Sequence, residues 1–343
     1  MSNDALSVGA IRVPSSRNRG ESDERHTLGR RRGGGAAGRK PGRYASHFRR
    51  TGRYRRADLC AWCRVVRAGR QGGRLNAEPT EKTAAQRAAL ERRTAQRLQQ
   101  RYGTQRPGVR RTKIDVHVHV LLKRNGDKNT SNRTVERQMR VINRAFAGRS
   151  SKPAAQTPFR FRVRSIDRTR NTDFYNWKFR DDDKAAKKQL HRGGFDDLNI
   201  YIADLGENLL GYAYYPGLAR KKLFRDGLVV TKESLPGGSF DPYAKGDTAT
   251  HEIGHWLGLY HTFEGSCGPN GDFVTDTPRQ LADVNVFKCD EELNTCGENP
   301  GDNPLTDPVH NFMNYTSDRC IDRFTRGQRD RMELSWLAYR ADG

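Results

Sequence analysis

The chain has 343 residues, enough for one large domain or two ordinary ones. Only 34% are hydrophobic and mean hydropathy is −0.92, and no apolar run approaches the roughly 20 residues that cross a bilayer, which argues against a membrane protein. The net charge of +23 is uneven: residues 1–110 hold 27 Lys/Arg against 8 Asp/Glu, while residues 111–343 hold 36 against 32. That near-balanced remainder argues against nucleic acid as the main partner, because phosphate binding needs a basic face.

Residues 1–75 are rich in Arg, Gly and Ser, as in "GRRRGGGAAGRKPGRYASHFRRTGRYRR". Such a segment buries too little apolar surface to offset its ordering entropy and is expected to be disordered. A nucleic-acid contact would be confined to this basic tail. The opening lacks a basic start followed by a sustained apolar stretch, so no secretory signal is visible. "CAWC", Cys60 to Cys63, has the spacing of a zinc knuckle or a redox pair, but no second pair accompanies it.

Residues 76–110 read as a helical linker resembling a prosegment. From Pro79 to about Tyr102 the good helix formers Ala, Arg, Gln and Glu carry a sparse apolar stripe, which predicts a helix lying on a surface. "GTQRPG" then breaks the chain, and a catalytic domain is expected over 111–343. "KIDVHVHVLL" alternates Ile114, Val116, Val118 and Val120 on one face, a strand pattern. His117 and His119 share the other face, where nothing nearby completes a metal site. "TVERQMRVINRAFAG" places Val135, Met139, Ile142 and Phe146 at helical spacing before Gly148. "FRFRVRSI" and "DLNIYIADL" read as strands flanking a short helix in "DDDKAAKKQLHRGG". "LLGYAYYP" and "DGLVVTKESL" read as short strands or edge segments. The order predicts an α+β fold, a mixed sheet backed by helices.

"HEIGHWLGLYH" carries the chemistry. His251 and His255 are four residues apart, so a helix stacks both toward one ion. Glu252 sits about 100° round from His251, able to reach a water at that ion without being a ligand. His261, six residues past His255, would face roughly 240° away on a continuing helix. The helix must therefore break, and Gly258 is where it can, because glycine tolerates the left-handed conformation. Three imidazoles with one open position make a catalytic zinc arrangement. A helix with incidental histidines is the rival reading. The glycine and third histidine at fixed places have a chance factor of about (34/343) × (9/343), which disfavours it.

The stretch matches the HExxHxxGxxH motif of metzincin proteases. The wider run resembles the pappalysin family, with its ulilysin-like bacterial enzymes: "LLGYAYYP", "LPGGS", "GDFVTDTP", "NFMNYTSDRC" and "FTRGQRDRM" all recur. The resemblance covers roughly residues 111–343. It implies a secreted zinc endopeptidase acting on proteins or peptides, with a twisted sheet, a backing helix, an active-site helix and an irregular C-terminal half ending in a helix. It also implies that Met313 forms the methionine turn under the zinc and that Tyr315 assists the transition state. Glu252 would be the general base.

Four cysteines, Cys267, Cys289, Cys296 and Cys320, fall within 54 loop-rich residues, which reads as two disulfides and an oxidising compartment. That expectation of export conflicts with the missing signal. A structural zinc site is disfavoured because their spacing has no CxxC knuckle. The residues alone leave three pairings open; the resemblance implies Cys267–Cys296 with Cys289–Cys320. It further suggests calcium near Asp272 and Asp276, against which stands the plain reading of Asx turns. Relatives with propeptides cap the zinc with an upstream cysteine, making Cys60 or Cys63 a candidate latch, although "CAWC" departs from the usual triplet. Finally, Asp318, three residues past Tyr315, is expected to point into the pocket for the residue after the cut and to favour Arg or Lys there. The oligomeric state is not legible.

Overall fold

Strand β1 (Thr112–Leu122) lies at the centre of the sheet. Its alternating Ile114, Val116, Val118 and Val120 are wholly buried on one face, as period-2 patterning requires. It pairs in parallel with β2 (Phe159–Arg170) on one side and β3 (Leu198–Ala203) on the other. The sheet continues through β5 (Leu228–Thr231), parallel to β3, to an antiparallel edge strand β4 (Gly211–Ala213), giving the order β2-β1-β3-β5-β4. The computed structural model describes residues 78–206, 209–217, 222–297 and 306–341. These belong to one compact unit, Arg56–Gly343; the unit Met1–Arg55 lies outside the described residues.

The first helix, α1 (Ala84–Tyr102), starts later than the expected Pro79. Thr83 and Gln86 form a reciprocal capping box that fixes the start, so residues 78–82 run outside the helix. Helix α2 (Asn132–Phe146) buries Val135, Met139, Ile142 and Phe146, the stripe expected from their spacing. A short helix α3 (Asp181–Leu190) covers the opposite sheet face. Helix α4 (Asp247–Trp256) carries the first two histidines of the motif and is buried along almost its whole length.

The main core packs β1, α2 and α4 against Phe312, Phe324 and Trp336. The second, smaller core, with Leu121, Trp177, Tyr201 and Tyr212, fills the other face of the sheet. His119 belongs to that face: it is buried, stacked on Tyr201, and bonded to Asp167 and Asn199 at 2.9 Å each. His117 meets the Ser165 hydroxyl at 2.7 Å. Both histidines are engaged by side chains of neighbouring strands.

After α4 the described chain has little regular structure until α5 (Arg326–Tyr339). This half is held by two disulfides, Cys267–Cys296 and Cys289–Cys320, the crossed pairing that the resemblance implies. Helix α5 closes the molecule from two sides. Its inner face enters the main core through Trp336, and Leu337 and Tyr339 pack against Leu98 of α1. Just past its end, Arg340 is buried over the Trp256 ring at 3.6 Å and forks onto Asp226 at 2.9 and 3.1 Å. No helix among the described residues is long and apolar enough to cross a membrane.

Candidate metal centre

The ligand helix has no side chain of its own as a cap: Gly246 occupies the N-cap with φ 98°. Its orphan N–H groups are met from elsewhere. Asp318 Oδ2 accepts from the backbone N–H of Lys245 at 2.8 Å, Gly246 at 3.1 Å and Asp247 at 3.4 Å. A buried carboxylate at this position also suits the positive end of the helix dipole. The helix ends at Gly258, φ 95°. Leu259 N–H reaches the Gly254 carbonyl and Gly258 N–H the His255 carbonyl, both at 2.9 Å, which is a Schellman closure. Any side chain at 258 would also press on Ser335 of α5. Glycine is required there twice over.

This break returns His261 to the site. The His255 Nε2 lies 3.0 Å from both His251 Nε2 and His261 Nε2. The outer nitrogens are tied down. His251 Nδ1 is 2.6 Å from the Phe312 carbonyl and His255 Nδ1 is 2.8 Å from the Leu259 carbonyl. A carbonyl only accepts, so both Nδ1 atoms carry the proton and both Nε2 atoms present lone pairs. His261 Nδ1 instead faces Glu264 Oε1 at 3.4 Å. Burial pushes His255 well below its ordinary value, keeping it neutral. The His251 and His255 lone pairs, this close, repel unless a cation lies between them, and buried imidazoles backed by carbonyls and a carboxylate are the donor set zinc takes. The residues present fit the metal.

A fourth group joins them that the sequence did not disclose. Glu78, at the start of the described chain, sets Oε1 3.2 Å from His261 Nε2 and 3.4 Å from His251 Nε2, with Oε2 3.6 Å from His255 Nε2. Burial disfavours a charged His261, yet Glu78 and Glu264 lift it to about 10. The two carboxylates favour positive charge at this point.

The remaining motif residues lie close by. Glu252 lines the cleft, and its buried Oε2 has no hydrogen-bond partner. Edge strand β4 runs so near that a side chain at Gly211 would strike it. Met313 is completely buried under α4, where Gly254 leaves space for its sulfur. Its carbonyl accepts from Thr262 N–H at 3.2 Å, tying the methionine turn to the segment that carries His261. Tyr315 packs against the His261 ring at 4.8 Å and donates its hydroxyl to Glu78 Oε1 at 3.3 Å. Asp318 is buried beside this cleft, not turned to solvent; Arg319 is exposed and pairs with Asp241. The Asp318 Oδ1 has no hydrogen-bond partner. The neighbouring Asp247 also lines the cleft, and burial, reinforced by Asp318, pushes it up to about 8.

Asp272 and Asp276 are divided in use. Asp276 accepts from Thr325 Oγ1 at 2.7 Å and Gly327 N–H at 2.8 Å, serving the start of α5. Asp272 Oδ1 accepts from Val274 N–H, an Asx turn, while its buried Oδ2 has no partner. Cys60 and Cys63 lie outside the described residues. Glu264 was also missed, although its place three residues past a predicted ligand was a usable signal. For Glu78 no local signal exists, 183 residues from His261.

A central parallel sheet, an active-site helix bearing HExxH, a glycine break, a third histidine and a methionine beneath them define a metzincin-type metallopeptidase. Residues 187–336 match the peptidase family described as pregnancy-associated plasma protein-A. An extracellular metalloprotease of Colletotrichum graminicola is 39% identical over 234 residues, 66% of this chain and 78% of that protein. One of Neurospora crassa is 38% identical over 235 residues, 67% and 76% of the two chains. Among solved structures, Tannerella forsythia promirolysin is similar at 26% identity and TM-score 0.61, covering 78% of this chain and 93% of its own. Mature mirolysin with a cleaved peptide is similar at 27% identity and TM-score 0.57, covering 68% and 97%. The chain belongs to this pappalysin family of metallopeptidases.

Proposed function

We propose that the chain is an exported zinc endopeptidase in which Glu252 is the general base, Tyr315 supports the transition state, and the residue after the cut is Arg or Lys. The observation that carries the reading is the convergence of three Nε2 atoms beside the unpartnered carboxylate of Glu252. Held by His251, His255 and His261, zinc supplies Lewis acidity that polarises the scissile carbonyl and makes water nucleophilic near neutral pH. Glu252 takes a proton from the attacking water and delivers it to the leaving amine. The Tyr315 hydroxyl, free to donate once Glu78 is absent, steadies the oxyanion that develops on the carbonyl. Strand β4, passing close to Glu252, offers an edge for an extended substrate.

Asp318 supports the preference for a basic residue. Three backbone N–H groups engage one oxygen, leaving the other buried and unpaired beside the cleft with Asp247 as a neighbour. A guanidinium or ammonium there gains a charge-assisted partner that an apolar side chain lacks. Export is supported by the extracellular relatives and by the two disulfides. A prosegment upstream of β1 is supported by the wider coverage of this chain by promirolysin than by mature mirolysin. The unpaired Asp272 Oδ2 favours calcium, while Asp276 is already taken up by α5.

The test compares variants of the processed protein. Glu252→Ala keeps its zinc but loses about 10²–10⁴-fold in turnover, the share general catalysis supplies. His255→Ala loses both zinc and activity. If processed wild type holds zinc and cleaves nothing, the chain is instead a peptide-binding protein of metzincin shape. Profiling a peptide library tests Asp318; a preference for large apolar residues after the cut overturns that role.

A further inference from the structure

We propose that Glu78 is a fourth ligand of the metal in the uncut chain, a carboxylate latch carried by a docked helix, which keeps the position needed for catalysis filled. The inference rests on the zinc reading above. Its first support is placement. One carboxylate faces all three Nε2 atoms within 3.2–3.6 Å, and Tyr315, offered above as a transition-state donor, spends its hydroxyl on the same Oε1. The three histidine nitrogens and the tyrosine donor are all engaged by one side chain.

The second support is the way the segment is held. Glu91 on α1 accepts from Arg331 at 2.6 and 3.0 Å and from Tyr260 at 3.0 Å. Thr94 meets the Tyr339 hydroxyl at 2.9 Å, and Leu98 is buried against α5. Only five residues separate Glu78 from the start of α1 at Ala84. A tether this short raises the local carboxylate concentration to the millimolar range or above, so a single weak ligand suffices. Arg87 adds a second hold: it lies 3.4 Å from Glu264, the carboxylate that backs His261. The segment therefore acts on a metal ligand from inside and on its support from outside.

The third support is the exit. Between α1 and β1 the stretch 104–108 is exposed, as are Arg110 and Arg111. Hydrolysis of one bond there consumes one water and leaves a carboxylate on the segment and an amine on the catalytic chain. The sheet begins only at Thr112, so the cut costs no strand pairing. It removes the covalent tether, and the noncovalent contacts of α1 must then hold the latch alone.

The experiment uses the full chain with Glu252→Ala, to stop self-cleavage, loaded with zinc. Acetohydroxamate, a small zinc-chelating probe, is titrated calorimetrically against this protein and against the same chain with Glu78→Ala. Glu78→Ala is expected to bind the probe at least tenfold more tightly, and Glu81→Ala to bind it as the parent does. Cobalt substitution gives a second readout: the visible bands shift on Glu78→Ala and not on Glu81→Ala. Equal affinity and identical spectra in all three proteins overturn the latch while leaving the zinc site standing. Opening by Glu81→Ala overturns the assignment to Glu78. Absence of zinc from all three, by elemental analysis, sinks the underlying reading instead.

Discussion

The sheet half and the half after α4 reach order by different means. Before the ligand helix, strands exchange ladder hydrogen bonds and bury continuous apolar faces, with Ile142 and Phe146 wholly enclosed. After it, the path is irregular, and two disulfides and buried side-chain amides such as Gln280 and Asn314 fix it. The active site lies on the seam: α4 belongs to the first half, while Met313, Tyr315 and Asp318 come from the second. A rigid frame thus presents His251 and His255, and a cross-linked wrap supplies His261, Met313 and Asp318.

If the division is real, damage to one half should have a signature distinct from damage to the other. The largest effect is expected at His255, where His255→Ala abolishes hydrolysis and zinc retention while far-ultraviolet circular dichroism still reports the sheet; loss of the sheet signal would refute the division. Next, Ile142→Ala should cost about 2–5 kcal/mol by denaturant unfolding through its cavity, with zinc content unchanged in the folded fraction. Replacing Cys289 and Cys320 together by Ser should cost about 2–4 kcal/mol. Limited proteolysis should then cut first between residues 267 and 320; first cuts in the sheet half would contradict the comparison.

The smallest effect sharpens the seam. Asp247 has its carboxyl pushed up to about 8, so the folded state binds its proton more tightly than the unfolded one. Its contribution to stability is complete below about pH 4 and is lost as pH rises through about 8. Asp247→Asn should therefore melt higher than wild type at pH 9, by on the order of 1 kcal/mol, with the gap smaller at pH 6 and closed at pH 4. A pH-independent gap would mean that the effect is not the carboxyl's ionisation. Burial likewise raises Asp318 to about 6. Any preference for Arg after the cut should then strengthen between pH 5 and 7, as that carboxylate ionises.

Where local sequence constrains geometry, the site was legible. His251, Glu252, His255, Gly258 and His261 sit within eleven residues, and helix periodicity with one left-handed glycine largely dictates how they meet. Met313 and Tyr315 needed the resemblance, because no spacing rule spans the 52 residues from His261. The alternation in β1 was plain, but the start of α1 was misjudged although Thr83 and Gln86 spelled a capping box. Asp318 was expected as a pocket residue; its place as the cap of α4 is visible only once two distant segments meet. Glu78 left no trace of any kind: one acid in a basic third looks like solvated surface until the chain folds back.

The order of synthesis has a bearing on Arg340. Asp226 is made more than a hundred residues earlier and is fully buried. Until Arg340 arrives, closing that part of the sheet would leave this carboxylate without its buried guanidinium partner, at a cost of about 3–5 kcal/mol. The ribosome can deliver strands, ligand histidines and methionine turn in sequence, but the buried pair rewards closure only after α5 has emerged. A nascent chain therefore has reason to stay open, with its cysteines accessible to oxidation, until its catalytic parts can assemble together.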